Sequence, residues 1–142
     1  MDNVGIVVSD LDAAIAFFSE LGMELVGEAT VSGDWVDRVV GLTGVKSDIA
    51  MLRTPDNQSR IELSRFNTPE AAIPDSKNAQ INTVGKHRVM FAVDDITNTI
   101  ARLRARGAEL VGEIVQYEDM YLLCYLRGPE GIVVALAQEL SA

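Results

Sequence analysis

The chain has 142 residues, the length of one ordinary domain, and a core of that size is stable without disulfides or metals. It carries 12 lysine and arginine residues against 21 aspartate and glutamate residues, a formal net charge of −9. This charge repels phosphate backbones and anionic lipids, so neither a nucleic acid nor a membrane is an expected partner.

Two features of the sequence predict a cytoplasmic protein. The start, Met1–Asn3, lacks the basic region of a signal peptide, and no apolar run approaches the roughly 20 residues of a membrane span. The single cysteine, Cys124, cannot form a disulfide within the chain. It lies in an apolar run, where a thiol usually behaves as a small buried hydrophobe.

The first predicted elements are a strand and a helix. Val4 to Val8 is rich in branched apolar residues, as a half-buried strand is. Ser9 or Asp10 is a suitable N-cap for the helix that follows, and Gly22 stands where a helix commonly ends in the left-handed conformation. The apolar face of this helix recurs at i, i+4 and i+7: Leu11, Ile15 and Phe18.

The next strand opens a sequence repeat. Glu24-Leu25-Val26-Gly27-Glu28 recurs as residues 109–113, an offset of 85 positions (109 minus 24). The same offset aligns residues 3–28 with residues 88–113, and 11 of these 26 positions are identical. The second copy therefore predicts a matching set of elements: a strand from Val89 to Val93, a cap at Asp94 or Asp95, an apolar helix face of Ile96, Ile100 and Leu103, and a helix end at Gly107.

A hairpin closes each copy. Its turns are predicted at Pro55-Asp56-Asn57 and at Gly128-Pro129-Glu130-Gly131, which are strong turn sequences. The predicted hairpin strands run from Asp48 to Arg53 and from Arg60 to Phe66 in the first copy, and from Met120 to Arg127 and from Ile132 to Ala137 in the second.

The first copy carries 12 extra residues (85 minus 73, because Ile61 corresponds to Val134). The insertion is expected around Asp34 to Val45, where Trp35 to Val40 reads as a short helix able to cover one end of a cleft.

Each copy is thus a βαβββ unit, and the chain is predicted to have an α+β fold. One unit has an apolar sheet face that its single helix can cover on only one side, so two tandem units are expected to form a curved mixed sheet around a cleft. The predicted organisation is one domain over residues 1–142, with repeat 1 at residues 1–66, a linker at residues 67–86 and repeat 2 at residues 87–142.

Three motifs carry a resemblance to a known family. They are Val-Gly-Ile-Val-Val-Ser-Asp-Leu-Asp from Val4, Arg-Ile-Glu-Leu from Arg60, and the Gly-Pro-Glu-Gly hairpin from Gly128. With the tandem βαβββ units they resemble the vicinal oxygen chelate superfamily, the glyoxalase, bleomycin resistance and ring-cleaving dioxygenase family, over essentially the whole chain. The resemblance is specific for the fold rather than the reaction, because this fold hosts isomerases, lyases, dioxygenases and metal-free drug-binding proteins.

The resemblance implies four metal-ligand positions, on the first and last strands of each copy. They fall on Asn3, Glu62, Arg88 and Ala135. Only Glu62 is a normal ligand. Arg88 carries a permanent positive charge, and at a separation of about 4 Å and an effective dielectric near 20 its repulsion of a divalent cation is on the order of 8 kcal/mol. His87, the only histidine, faces away from the cleft if Arg88 faces it, unless a bulge at Lys86 and His87 reverses the strand. We therefore expect no metal and no other cofactor.

Two roles are open for Glu62 and Arg88. They form a buried ion pair where a metal would lie, with Asn3 completing the hydrogen bonds, or Arg88 stays free to clamp a carboxylate, enolate or phenolate. Residues 117–121 bring two carboxylates and two phenols to one strand end. Tyr121 is therefore a further catalytic candidate beside Glu62 and Arg88.

Strand alternation predicts which side chains face the cleft, and the inserted helix adds a lid. Most of these side chains are apolar with a few polar points, which is typical of a small-molecule pocket. The predicted ligand-binding residues are Asn3, Val7, Trp35, Arg38, Glu62, Ser64, Phe66, Arg88, Met90, Tyr121 and Ala135.

The predicted function is to bind a small organic molecule in the central cleft without a metal, either to sequester it or to transform it by acid–base chemistry. The alternative is a metal-dependent glyoxalase-type lyase, isomerase or dioxygenase with an atypical ligand set. A third reading is a structural homodimer with a vestigial cleft. The resemblance also implies a homodimer, because members of this fold often pair through sheet edges or exchange halves.

Overall fold

The structure is a computed structural model that describes residues 1–74 and 79–140. It divides into two compact units, residues 1–74 and residues 75–142. Each unit contains one copy of the repeat, so the division agrees with the predicted duplication. The predicted linker includes residues 75–78 and the second repeat includes residues 141–142, and both stretches lie outside the described residues.

The first unit is a four-stranded sheet with two helices. The strand order is β1-β4-β3-β2, with β1 parallel to β4 and the other neighbours antiparallel. The elements are β1 (Val4–Val7), α1 (Leu11–Glu20), β2 (Glu24–Ser32), α2 (Asp34–Val40), β3 (Lys46–Arg53) and β4 (Arg60–Thr68).

The second unit repeats this order with one helix and a divided second strand. Its main sheet has the order β5-β9-β8-β6, and β7 also pairs with β8. The elements are β5 (Arg88–Ala92), α3 (Ile96–Arg104), β6 (Glu109–Leu110), β7 (Val115–Tyr117), β8 (Tyr121–Arg127), a 3₁₀ turn (Pro129–Gly131) and β9 (Val133–Glu139). None of the helices in the described parts of the chain is long and apolar enough to cross a membrane.

The helix caps confirm the repeat at atomic detail. The Asp10 carboxylate accepts a hydrogen bond of 3.0 Å from the Ala13 N–H, and the Asp95 carboxylate accepts one of 3.0 Å from the Asn98 N–H. Each satisfies an N–H group that has no partner within its helix. Gly22 and Gly107 have φ values of 91° and 89°, a left-handed conformation that glycine adopts without steric cost.

The buried face of α1 differs slightly from the predicted one. Phe17 and Phe18 are both fully buried, and their rings pack edge-to-face with centroids 5.2 Å apart. This pair shifts the buried stripe toward Ala14, so that Ile15 is only half-buried. In α3 the predicted residues are buried as expected: Ile96, Ile100 and Leu103.

Strand β4 continues through Thr68, two residues into the segment predicted as linker, because a polar cluster holds its end. The Asp48 carboxylate accepts hydrogen bonds from Thr30 Oγ1 (2.7 Å), Arg65 Nη2 (2.6 Å) and Asn67 Nδ2 (3.1 Å). These donors, Thr30 foremost, lower the pKa of Asp48 from 3.8 to about 2. The cluster ties β2, β3 and β4 together at one end of the sheet.

Identical pentapeptides extend to different lengths in the two units. In the first unit Glu24–Glu28 begins β2, a nine-residue strand that pairs with β3 along its length. In the second unit β6 covers only Glu109–Leu110, which pair with two residues of β8. The extent of the strand therefore depends on the partner that the rest of the unit provides, rather than on the pentapeptide itself.

Candidate functional site

A cavity of about 300 Å³ lies in the first unit between α2 and one face of the sheet. Strand alternation builds its floor. Ser47 and Ile49 of β3 lie opposite Phe66 and Ser64 of β4, respectively. Glu62 comes two residues before Ser64 on β4 and lies on the same face of the sheet. The residues that line the cavity are Val31, Trp35, Val36, Val39, Val40, Val45, Ser47, Ile49, Glu62, Ser64 and Phe66.

The inserted helix α2 forms the roof of the cavity; the sequence predicted this helix as a cover for one end of a cleft between the two repeats. Val36 anchors α2 because its side chain is buried. Trp35 and Val39 also line the cavity, yet they remain 59% and 77% exposed. Exposed apolar surface beside a cavity is surface that a bound molecule can cover.

Asp37 holds the roof to the sheet. Its carboxylate accepts hydrogen bonds from the backbone N–H groups of Gly44 (2.9 Å) and Val45 (2.8 Å), where the chain enters β3. Gly41, at the end of α2, is left-handed with φ 75° and turns the chain toward this contact. Sequence reasoning missed the role of Asp37, because only the fold shows which amides its carboxylate meets.

Among the described lining residues, Glu62 alone is charged. It is half-buried, and within residues 1–74 its carboxylate makes no hydrogen bond or ion pair. Ser47 is buried, and its hydroxyl donates to the Arg65 carbonyl oxygen at 3.1 Å. The lining of the cavity is therefore mostly apolar, with two serine hydroxyls and a single carboxylate.

The structure brings together four of the predicted ligand-binding residues of the first unit: Trp35, Glu62, Ser64 and Phe66. Val7 pairs in register with Ser64 but does not line the cavity. Arg38 forms an ion pair with Asp34 at 3.4 Å, with both side chains more than three-quarters exposed. The amide of Asn3 donates to the Asp2 carboxylate at 2.8 Å. The additional lining residues Val31, Ser47 and Ile49 follow from the same strand alternation that predicted Ser64 and Phe66.

In the second unit, the predicted residues share one face of the sheet: Arg88, Met90, Tyr121 and Ala135. The guanidinium carbon of Arg88 lies 5.0 Å from the centroid of the Tyr125 ring, a cation–π contact that reaches from β5 across β9 to β8. The Arg88 side chain is exposed, and its predicted pairing with Glu62 stays a prediction. The guanidinium lies over the Tyr125 ring.

Ala135, predicted as a ligand contact, has no exposed surface in this structure. It is fully buried, because it lies on the central strand β9 between Met90 of β5 and Tyr125 of β8. Tyr121 is half-buried at the start of β8, where it pairs with Tyr117 across the turn at residues 118–120. His87 is exposed and precedes β5, and the register of that strand is regular from Arg88 onward.

Comparison with known proteins decides the family. A family model of the Glyoxalase/Bleomycin resistance protein/Dioxygenase superfamily matches residues 1–136. The chain belongs to this superfamily. The family that the sequence motifs indicated is thereby confirmed, and so is the α+β fold of two tandem βαβββ units.

Individual relatives within the glyoxalase superfamily agree with this assignment. The chain is 55% identical to a glyoxalase family protein from Bacillus cereus of known crystal structure, with a TM-score of 0.94 over 99% of this chain and 94% of that one. It is 27% identical to the uncharacterized protein YwbC of Bacillus subtilis (strain 168) over 135 residues, 92% of this chain and 90% of the relative. A mutant glyoxalase I from Zea mays shares the fold alone, with 19% identity and a TM-score of 0.68 over 99% of this chain and 47% of that one.

The metal-ligand positions of the glyoxalase superfamily do not fit a divalent cation in this chain. Ala135 offers a buried methyl group, and Arg88 brings a guanidinium that rests on Tyr125. Glu62 supplies the one carboxylate, with the Asn3 amide as a weak neutral donor. No group of three or more His, Cys, Asp or Glu side chains that could hold a metal occurs in residues 1–74 or 79–140. Three convergent donors are the minimum that structural and catalytic sites usually provide.

The thiol of Cys124 is separate from the site. It is buried in β8, and burial raises the pKa of the thiol. A raised pKa keeps the group protonated and a poor nucleophile at neutral pH. Cys124 therefore serves as a small core residue, as its apolar surroundings in the sequence predicted.

Proposed function

We propose that this glyoxalase-superfamily protein binds a small organic molecule, without a metal, in the cavity beneath α2. The observation that carries the proposal is the cavity itself, whose mostly apolar lining includes two serines and one carboxylate. Small-molecule sites are usually apolar concavities of about 300 to 1,000 Å³ with a few placed polar groups. The cavity of about 300 Å³ lies at the lower end of that range.

The shape and lining of the cavity support binding of a ligand. Acid–base chemistry on that ligand would depend on a single lining group, the Glu62 carboxylate. Glu62 is the lining residue that can take or give a proton at a bound molecule. The apolar residues of α2 exclude water from part of the bound surface, which strengthens any interaction with that carboxylate.

Tryptophan fluorescence tests the proposal directly, because Trp35 is the only tryptophan of the chain and lines the cavity. We expect 4-phenyl-1-butanol, a neutral probe, to change the Trp35 emission saturably with one molecule per chain. Ser64→Phe should abolish this change by filling the cavity from its floor. Ser59→Phe places the same side chain in the exposed turn between β3 and β4 and should leave binding intact.

Two results would contradict the proposal. One is an emission that never saturates, or that responds identically in the Ser64→Phe and Ser59→Phe variants, because the probe would then not occupy the cavity. The other is one tightly bound zinc, iron, manganese or nickel ion per chain in protein purified without a chelating column.

A further inference from the structure

We infer that the molecule bound beneath α2 is an organic cation, with an apolar body and a protonated amine at one end. The inference rests on the proposed function, since it names the chemical class of ligand for the same cavity. It is carried by three features of the first unit: which of its charges are paired, how far Glu62 lies from Phe66 along β4, and which aromatic rings line the cavity.

Of the three arginines of β3 and β4, two form ion pairs and the third, on the same face of β4 as Glu62, is exposed. Arg65 forms an ion pair with Asp48 at 2.6 Å on the opposite face of the sheet, and Arg53 approaches Glu24 at 3.6 Å. Arg60 is exposed at the start of β4 and makes no ion pair with Glu62 within residues 1–74. The Glu62 carboxylate is therefore left without a cation in its own unit.

A partly buried carboxylate favours a cation over any other ligand group. An ammonium group pairs with it and donates up to three hydrogen bonds, whereas a hydroxyl donates one and a carboxylate is repelled. Because Glu62 is the single charged lining residue, the sign of its charge sets the sign that the ligand carries.

The spacing along β4 sets the length of the ligand. Phe66 lies four residues beyond Glu62 on the same face, which at a strand rise of roughly 3.3 Å per residue separates their Cα atoms by roughly 13 Å. Phe66 lies across the sheet from Val31, near the end of β2 that α2 follows, and the rings of Phe66 and Trp35 both line the cavity and suit a flat or aromatic body. The amine is therefore expected at the far end of an apolar body, rather than on a compact polar molecule.

Three probes with one carbon skeleton test the charge preference: 4-phenylbutylamine, 4-phenyl-1-butanol and 4-phenylbutyrate. We expect the amine to quench or shift Trp35 emission at a concentration about 10- to 100-fold lower than the alcohol, the range of a hydrogen bond to a charged group. The butyrate should bind most weakly. The advantage of the amine should fall as salt is added, because screening weakens an ion pair that is only partly buried.

Glu62→Gln should remove the advantage of the amine over the alcohol, because the neutral amide no longer attracts a cation. Glu28→Gln is the matched control, because it makes the same change of charge on the same sheet. Glu28 pairs with Ala50, a residue of the opposite face, and it is exposed. The ratio of amine to alcohol affinity should therefore be the same in Glu28→Gln as in the unaltered protein.

The outcomes separate this inference from the proposed function. Equal affinity for the amine and the alcohol, or tighter binding of the butyrate, would overturn the cationic ligand while leaving the cavity as a binding site. An amine advantage that persists in Glu62→Gln would overturn it as well. Failure of all three probes to saturate the Trp35 signal would reject the binding site itself, and the inference with it.

Discussion

The two units start from one duplicated pattern and then use it differently. Both have a first strand, a capped helix and a glycine that ends the helix, at positions 85 residues apart. In the first unit the next strand extends to Ser32 and meets the inserted helix α2, and a cavity forms beneath it. In the second unit that strand stops at Leu110. The duplicated residues therefore specify the frame, whereas residues that were not duplicated build the candidate site.

The sheet face that carries Glu62 in the first unit and the one that carries Arg88 in the second also differ in charge and in the side chains that surround that charge. The face of the first unit carries a carboxylate, Glu62, that lines a cavity and has no ion-pair partner within residues 1–74. The face of the second carries a guanidinium, Arg88, laid on the Tyr125 ring with Ala135 buried between β5 and β8. The Arg88 side chain reaches across β9 to Tyr125, and the small side chain of Ala135 on β9 is compatible with this contact. The two departures from the metal-ligand pattern, arginine at position 88 and alanine at position 135, are therefore parts of one packing arrangement.

The largest expected effect concerns the insertion that distinguishes the first unit. Asp37→Ala removes two hydrogen bonds from a carboxylate to the Gly44 and Val45 amides, so we expect a loss of about 1.5 to 3 kcal/mol in the free energy of unfolding. The affinity for 4-phenyl-1-butanol should fall as well, because the roof of the cavity loses its attachment. Chemical denaturation and Trp35 fluorescence measure the two effects.

Asp34→Ala is the matched control on the same helix. Its ion pair with Arg38 is almost wholly exposed, so its loss should cost about 0.5 kcal/mol or less. If Asp37→Ala and Asp34→Ala lower the free energy of unfolding equally, the attachment of α2 through Asp37 does not account for the structural difference between the first unit and the second.

The next effect tests what the two units share. Asp10→Ala and Asp95→Ala each remove one capping hydrogen bond of 3.0 Å, and each should cost about 1 kcal/mol of stability. Equal losses in chemical denaturation would show that the duplicated frame is energetically equivalent in both units. A difference of more than about 1 kcal/mol, as large as a whole cap, would break that equivalence.

The duplicated features were the predictable ones because their causes are local. A cap depends on residues three positions apart, and a left-handed helix end depends on one glycine, so Asp10, Asp95, Gly22 and Gly107 could be assigned from sequence. The short helix from Trp35 was likewise local. These elements, with the repeat, were sufficient to predict the fold.

The site was less predictable because its causes are distant in sequence. Asp37 acts on amides seven and eight residues away, Asp48 accepts from donors on two other strands, and Ala135 is buried by neighbours on two other strands. Alternation placed Glu62, Ser64 and Phe66 on one face correctly. It could not show that Arg88 would rest on Tyr125, since that contact depends on the strand order β5-β9-β8.

The smallest effect concerns the face of the second unit. Arg88→Met should cost about 0.5 to 1 kcal/mol of stability, the range of an exposed cation–π contact. A double-mutant cycle with Tyr125→Leu, followed by chemical denaturation, should return a coupling energy of the same size. A loss of about 3 to 5 kcal/mol, typical of a buried charge left without its partner, would instead restore the buried ion pair as the role of Arg88.

The outer position of β2 has a consequence for aggregation. As the last strand in the order β1-β4-β3-β2, it leaves the backbone amides and carbonyls along one side of Glu24–Ser32 without a partner strand in that sheet, and Leu25 and Val26 beside them are exposed. Such an edge invites pairing with another chain. The irregular register between Leu25 and Gly27 and the carboxylates of Glu24 and Glu28 oppose that pairing, through local twist and through repulsion between like charges. The protection by charge weakens as salt is added, because salt screens the repulsion between exposed charges.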